Sequence, residues 1–146
     1  MTRRSRAREV VLQLLFQHDH NPNVDRSTIE RFVHDRLRDP AREPFCLALY
    51  DGVLARAPEI DRRLTEAAEN WRLSRMAIVD RNVLRLGAYE LQFTPETPAS
   101  VALNEAIELA RRFGSADSPA FVNGILDRLH KSAEEPRPSG SALTAP

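Results

Sequence analysis

Apolar residues recur every three or four positions along most of the chain, which is the spacing of one face of an α-helix. The first segment shows this clearly, with Ala7, Val10, Val11, Leu14 and Leu15 on one side. No segment has the strict alternation of apolar and polar residues that is typical of a half-buried strand. The pattern therefore predicts an all-α protein of about seven helices.

Helix breakers and capping residues divide the chain between these apolar stripes. Breaks occur at residues 21–22, 39–40 and 57–58, each with a proline. Ser27 and Glu30 have capping-box spacing and predict the start of a second helix. Thr97–Pro98 and Ser118–Pro119 predict the starts of the last two helices, and Gly114 is expected to end the helix before the last one.

One helix is predicted to be central. The stretch SRMAIVDRNVLRLGAYELQF, residues 74–93, is apolar on several sides, as in a helix that is surrounded by neighbours. Gly87 in its middle costs about 1 kcal/mol relative to alanine. We expect that another helix passes close to Gly87 and compensates for this cost.

The division of the chain follows from these elements and from composition. We predict one helical domain over residues 1–132, with two small helical bundles at about 3–56 and 58–131. From residue 133 to 146 the chain is rich in Pro, Ser, Gly and Ala, which predicts a disordered tail.

Charge and cysteine content limit the function classes. The 21 Lys and Arg residues balance 21 Asp and Glu residues, so attraction to nucleic acid must be local. Only Lys131 is a lysine, so the choice of arginine at one site carries little information. A single cysteine, Cys46, is consistent with a reducing cytoplasm. No apolar run approaches the roughly 20 residues of a membrane helix, so no membrane interaction is expected.

No motif for catalysis or for a metal or cofactor site is recognisable. The four histidines lack partners at metal-ligand spacing, and their most economical interpretation is surface or helix-end residues. The chain has no phosphate-binding glycine loop and no nucleophile elbow. We therefore expect no catalytic residue, no metal and no cofactor.

The first helix has a second face that suggests RNA binding. Arg4, Arg8, Leu12 and Phe16 follow one another at four-residue spacing, so a basic strip would end in an aromatic side chain. Arginines contact phosphates and an aromatic ring stacks on a base in many single-strand RNA sites. Glu9 is not expected to neutralise the strip. The alternative is a helix with two buried faces and solvated arginines.

Two further features are candidates for binding. The stretch FGSADSPAFVNGIL, residues 113–126, contains Asp117 at a predicted helix cap, where plain capping explains a carboxylate equally well. Asp80 and Arg81 form a charged pair on the central helix. Such a pair is a candidate protein contact, and a solvated face is its alternative.

Three stretches together resemble the NusB family of bacterial transcription antitermination factors. They are RRSRAREVVLQLLFQ at 3–17, VDRNVLRLGAYEL at 79–91 and VALNEAIELARRFGSADSPAFVNGILD at 101–127. The resemblance implies a non-catalytic protein with two helical bundles. It also implies binding of single-stranded boxA RNA from ribosomal RNA transcripts, a heterodimer with the small-subunit ribosomal protein NusE, and assembly with other Nus factors on RNA polymerase.

The resemblance also implies roles for particular residues. The RNA-binding positions are Arg3, Arg4, Arg6, Arg8, Phe16, Asp117 and Phe121, and the partner-binding positions are Asp80 and Arg81. Phe16 stands where the family often has tyrosine, so a stacking face is kept and a hydroxyl is lost. Ser5 stands where many members have another arginine, which predicts weaker phosphate contact.

Two other hypotheses come from different classes. Similar helical modules form the N-terminal part of ribosomal RNA cytosine methyltransferases, so the chain could be related to such an enzyme module. It could also be a regulatory protein whose homodimer masks the arginine strip.

Overall fold

The computed structural model describes residues 2–134, and within this range the chain forms seven α-helices and no strand. Their bounds are α1 Arg3–His20, α2 Arg26–Leu37, α3 Glu43–Ala55, α4 Ala57–Ala68, α5 Ile78–Phe93, α6 Ala99–Phe113 and α7 Ser118–Glu134. Short 3-10 turns lie at Pro40–Arg42 and Leu73–Arg75. The predicted all-α class and helix number are confirmed. Helix α7 continues two residues past the predicted domain end at 132, and the rest of the predicted tail lies outside the described residues.

The helices pack in two groups that share α5. Helices α1, α2 and α3 contact one another, and α4, α6 and α7 surround α5. Both α1 and α3 also pack against α5, so the buried side chains of all seven helices form one continuous core. The prediction of a central helix is confirmed.

Gly87 lies where α5 is in close contact with α6 and α7. A Cβ atom at this position would lie 2.7 Å from Cδ1 of Leu126 on α7 and 3.2 Å from Cβ of Ala106 on α6. The expected close approach is therefore present, and it explains why a glycine is tolerated inside a helix.

The start of α2 differs from its prediction, and the end of α6 is as predicted but has its own backbone geometry. Asp25, and not Ser27, caps α2, and its carboxylate accepts hydrogen bonds from the hydroxyls of Ser27 and Thr28. These bonds lower the pKa of Asp25 below its usual value. Gly114 does end α6, but its backbone is extended, with φ −96°. A side chain there would overlap the Ser118 hydroxyl, so the glycine serves close packing and not a left-handed turn.

Candidate nucleic-acid interface

The first turns of α1 bring exposed arginines to the surface. Thr2 caps the helix by accepting a hydrogen bond from the backbone N–H of Ser5 at 3.0 Å. The Arg3 side chain is 72% exposed, and its nearest carboxylate, on Asp39, is 3.9 Å away. The guanidinium of Arg4 lies over the Phe45 ring at 4.8 Å from its centroid, and Arg4 is also exposed. Both cations can therefore reach a ligand in solvent.

Arg8 does not belong to this exposed group. It is 3% exposed, and its guanidinium donates to both carboxylate oxygens of Glu90, at 2.7 and 2.8 Å, and to Glu105 at 3.0 Å. Burial alone would lower the pKa of Arg8, but the bonds and charges of Glu90 and Glu105 raise it above its usual value. The prediction that Arg8 lies on an exposed strip is wrong, because Arg8 faces α5 and α6.

Leu12, the next residue of that face, is buried as well. Of the four residues predicted to form the strip, only Arg4 and Phe16 are exposed. The middle of α1 thus has two buried faces, as the alternative interpretation stated. The two ends of the strip, Arg4 and Phe16, remain accessible to solvent.

Glu9 does not pair with the residues of the strip, as expected, but it does pair with Arg6, which lies outside the strip. Its carboxylate accepts from Arg6 at 2.8 Å and from Arg112, in the last turn of α6, at 3.1 Å. Arg6 precedes Glu9 by three residues and therefore lies on the same helix face, whereas Arg8 does not. Arg6 also donates to the backbone carbonyl of Arg36 at 3.0 Å. The Glu9 contacts join the start of α1 to the end of α6.

A basic groove lies between α1 and the segment that follows α2. It has a volume of about 530 Å³, and Arg3, Arg6 and Arg38 line it together with Asp39. Arg38 was not predicted from the sequence. It ends α2 in the left-handed conformation, with φ 52°. Only tertiary packing brings it beside the arginines of α1.

An aromatic groove of about 390 Å³ continues along α1. Its lining is mostly apolar and consists of Leu12, Gln13, Phe16, Gln17, Phe32, Val79 and Phe113, with Glu9 and Arg36. Phe16 is 45% exposed, and Phe113 is also exposed. The sequence pattern assigned Phe113 only to the apolar face of α6. Its position directly after two arginines, Arg111 and Arg112, was the available signal for a functional role.

The start of α7 carries the other predicted RNA-binding residues. Asp117 is exposed and lies at the helix cap, where its backbone carbonyl accepts from the N–H of Phe121 at 3.1 Å. Phe121 is half-buried, and its ring meets the Trp71 ring edge to face at 5.5 Å. These residues follow directly after the end of α6, which Arg112 ties to α1.

Asp80 and Arg81 do not line either groove, although the preceding residue, Val79, lines the aromatic groove. Arg81 is 3.8 Å from Asp19 at the end of α1, and the neighbouring Asn82 donates to Asp19 at 2.9 Å. Oδ1 of Asp80 and Nε of Arg81 are buried and have no hydrogen-bond partner within the described part of the chain. The pair is therefore partly enclosed by its own fold, and its role toward a partner stays a prediction.

The described residues contain neither a membrane-spanning helix nor a cluster of metal ligands. Among residues 2–134, no helix combines the length and apolar character that crossing a membrane requires. Within the same range, no three His, Cys, Asp or Glu side chains converge in the manner of a metal site. Burial raises the pKa of the Cys46 thiol to about 12, with a smaller contribution from the charge of Glu43.

Known proteins resemble this chain over nearly its full length. The model of the NusB family matches residues 5–131. The transcription antitermination protein NusB of Desulforudis audaxviator is 46% identical over 140 residues, which are 93% of this chain and 99% of that protein. The structure of T. maritima NusB superposes with a TM-score of 0.77 at 35% identity and 98% coverage of both chains.

A further structure shares the fold at lower identity. It is that of the antitermination factors NusB and NusE in complex with double-stranded RNA. The TM-score is 0.80 and the identity 22%, with coverage of 90% of this chain and 98% of that chain.

Proposed function

The chain belongs to the NusB family, and from this membership we propose that it is a transcription antitermination protein that binds boxA RNA of ribosomal RNA transcripts together with NusE. Other Nus factors and RNA polymerase complete the assembly. The observation that carries the proposal is the match of residues 5–131 to the family, combined with the exposed arginines at the start of α1.

The two grooves support an RNA path along α1. Arg3, Arg6 and Arg38 line the basic groove, where they are placed to contact phosphates. Phe16 and Phe113 line the aromatic groove, where they offer ring faces to bases. Arg6 bonds to the Arg36 carbonyl and Arg36 lines the aromatic groove, so the grooves adjoin.

The burial of Arg8 changes its proposed role. It holds the first turns of α1 against Glu90 and Glu105 and thereby positions Arg3, Arg4 and Arg6, without touching phosphate itself. Asp117 and Phe121 extend the RNA surface onto α7. Asp80 and Arg81 are assigned to the contact with NusE.

The alternative hypotheses have less support. Two curated relatives are antitermination proteins, and the matches cover 99% of one of them and 92% of the other. We therefore favour a protein without catalytic activity over a methyltransferase module, and we place it in the cytoplasm, where bacterial transcription takes place. Light scattering with and without NusE distinguishes monomer, homodimer and heterodimer.

Binding of the NusE mixture to boxA RNA tests the proposal, with a scrambled RNA and a double-stranded form measured at the same salt. We expect single-stranded boxA RNA to bind more tightly than both the scrambled RNA and the double-stranded form. The double variant Arg3→Gln plus Arg6→Gln removes two cations of the basic groove. The slope of log affinity against log salt concentration should become shallower by about 1.4, since each single-strand phosphate contact contributes about 0.7.

The matched control is the double variant Arg56→Gln plus Arg62→Gln. It removes two exposed arginines, one directly before α4 and one within α4, and neither lines a groove. Equal affinity for boxA and scrambled RNA would remove the antitermination proposal. An unchanged slope in the folded Arg3 and Arg6 variant would instead show that these arginines do not contact phosphate.

A further inference from the structure

Trp71 is a large aromatic side chain that the fold leaves in solvent. It lies between α4 and α5 and is 56% exposed, more than any other large apolar side chain in residues 2–134. Its ring meets Phe121 edge to face, with centroids 5.5 Å apart and planes at 84°. Phe121 thus supports one side of the indole, and much of the rest faces water.

The surroundings of Trp71 favour a negatively charged ligand. Arg72 and Arg75 follow it in the chain and are exposed, and neither forms an ion pair with a carboxylate of the described residues. Arg128 on α7 donates to the backbone carbonyl of Ala67 at 2.8 Å and lies 3.8 Å from Glu69. Of these three cations, Glu69 therefore neutralises only Arg128.

The Trp71 surface continues the proposed RNA path. Phe121 lies in the first turns of α7, directly after Asp117, and α7 follows the end of α6. Arg112 in the last turn of α6 bonds to Glu9 on α1, next to the aromatic groove. Phe113 lines the aromatic groove, and Asp117 and Phe121 follow it in the chain. Phe121 contacts Trp71, so these residues connect the groove to the exposed indole.

We propose that Trp71 is an additional base-stacking residue of the RNA site, with Arg72 and Arg75 placed to contact the adjoining phosphates. The inference rests on the proposed function, and it lengthens the RNA footprint beyond α7. Every nucleobase has a ring face, so stacking on an indole adds affinity with little sequence preference. The ligand is single-stranded RNA, because a base must be unpaired to lie on the indole.

Intrinsic tryptophan fluorescence reports on this site alone, because Trp71 is the single tryptophan of the chain. The intrinsic emission of the full-length chain is followed during titration with single-stranded boxA RNA, while the anisotropy of a labelled RNA reports binding independently. We expect the emission to be quenched with the same midpoint as the anisotropy change. Acrylamide should quench free Trp71 readily and bound Trp71 much less.

Two variants at this site separate stacking from fold effects. Trp71→Leu should weaken binding about tenfold, while Trp71→Phe keeps a ring face and should retain most of the affinity. The side chain is exposed, so both variants should keep the helical circular dichroism of the parent chain.

The outcomes distinguish this inference from the proposed function. If the RNA binds by anisotropy but neither the emission nor the Trp71→Leu affinity changes, Trp71 is not a stacking residue and the antitermination proposal still stands. If NusE alone quenches Trp71 and RNA does not, the indole contacts the protein partner and the inference is overturned. If no RNA binds at all, both proposals fail.

Discussion

The role of Arg8 in the structure differs from the role that the sequence pattern predicted. The carboxylate partners of Arg8 are 82 and 97 positions away in the chain, on α5 and α6. The Ser5 hydroxyl donates to the same Glu105 carboxylate at 2.5 Å. Ser5 thus has a structural role in holding α1 that is independent of phosphate contact.

At this scale we predict that Glu90→Ala lowers the free energy of unfolding by roughly 3 kcal/mol, because it leaves Arg8 buried with only one partner. Urea denaturation followed by circular dichroism measures the change. The matched control is Asp51→Ala. Asp51 accepts two similarly short hydrogen bonds from Arg26, but the side chains of Asp51 and Arg26 are 49% and 47% exposed.

Removing this exposed partner should cost about 1 kcal/mol or less. Equal losses for Glu90→Ala and Asp51→Ala would show that burial does not set the importance of the Arg8 cluster.

Helix α5 is the element on which the others depend, because five helices pack against it. Its glycine is not a flexible point, since Leu126 and Ala106 occupy the space where a side chain would stand. Leu126 is itself fully buried, so a shift of its side chain would press on other core residues. Close packing at Gly87 therefore outweighs the loss of helix propensity.

At the scale of the element, Gly87→Ala should destabilise the protein by about 1 to 2 kcal/mol, because overpacking exceeds the roughly 1 kcal/mol gained in helix propensity. Gly124→Ala on α7 is the matched control. The nearest atom to its new Cβ is Nη1 of Arg128, at 3.8 Å, so only the propensity gain applies and stability should rise by up to about 1 kcal/mol.

Thermal unfolding of both glycine variants checks the opposite signs. A stabilised Gly87→Ala protein would mean that α6 and α7 can move away from α5 at little cost.

The whole molecule has two helical groups and one core. The break near Pro58 suggested a boundary between an N-terminal and a C-terminal bundle. In the described residues, however, α1 and α3 lie directly on α5, and the Arg8 cluster joins α1 to both α5 and α6. We therefore expect the two groups to unfold together.

At the scale of the molecule, a fragment of residues 57–134 should not fold cooperatively. Without α1 and α3 it would expose an apolar side of α5 and leave Glu90 without Arg8. Thermal circular dichroism of the fragment, with a chain of residues 2–134 as control, measures this. A sharp transition in the fragment would show that the C-terminal group is an independent folding unit.

The sequence by itself determined the helical class, the presence of a central helix within residues 74–93, the close approach at Gly87 and the family. These properties follow from local spacing and from stretches of adjacent residues, which a sequence displays directly. It did not determine which arginines of α1 are exposed, which carboxylates pair with Arg8, or that Arg38, Phe113 and Trp71 lie on the surface.

Only the tertiary structure decided those points, because burial and pairing depend on side chains up to about a hundred positions apart. Arg6 and Arg8 are two residues apart in the chain, but they are rotated about 200° from each other around the helix. One therefore lies at the edge of a solvent groove and the other inside the core.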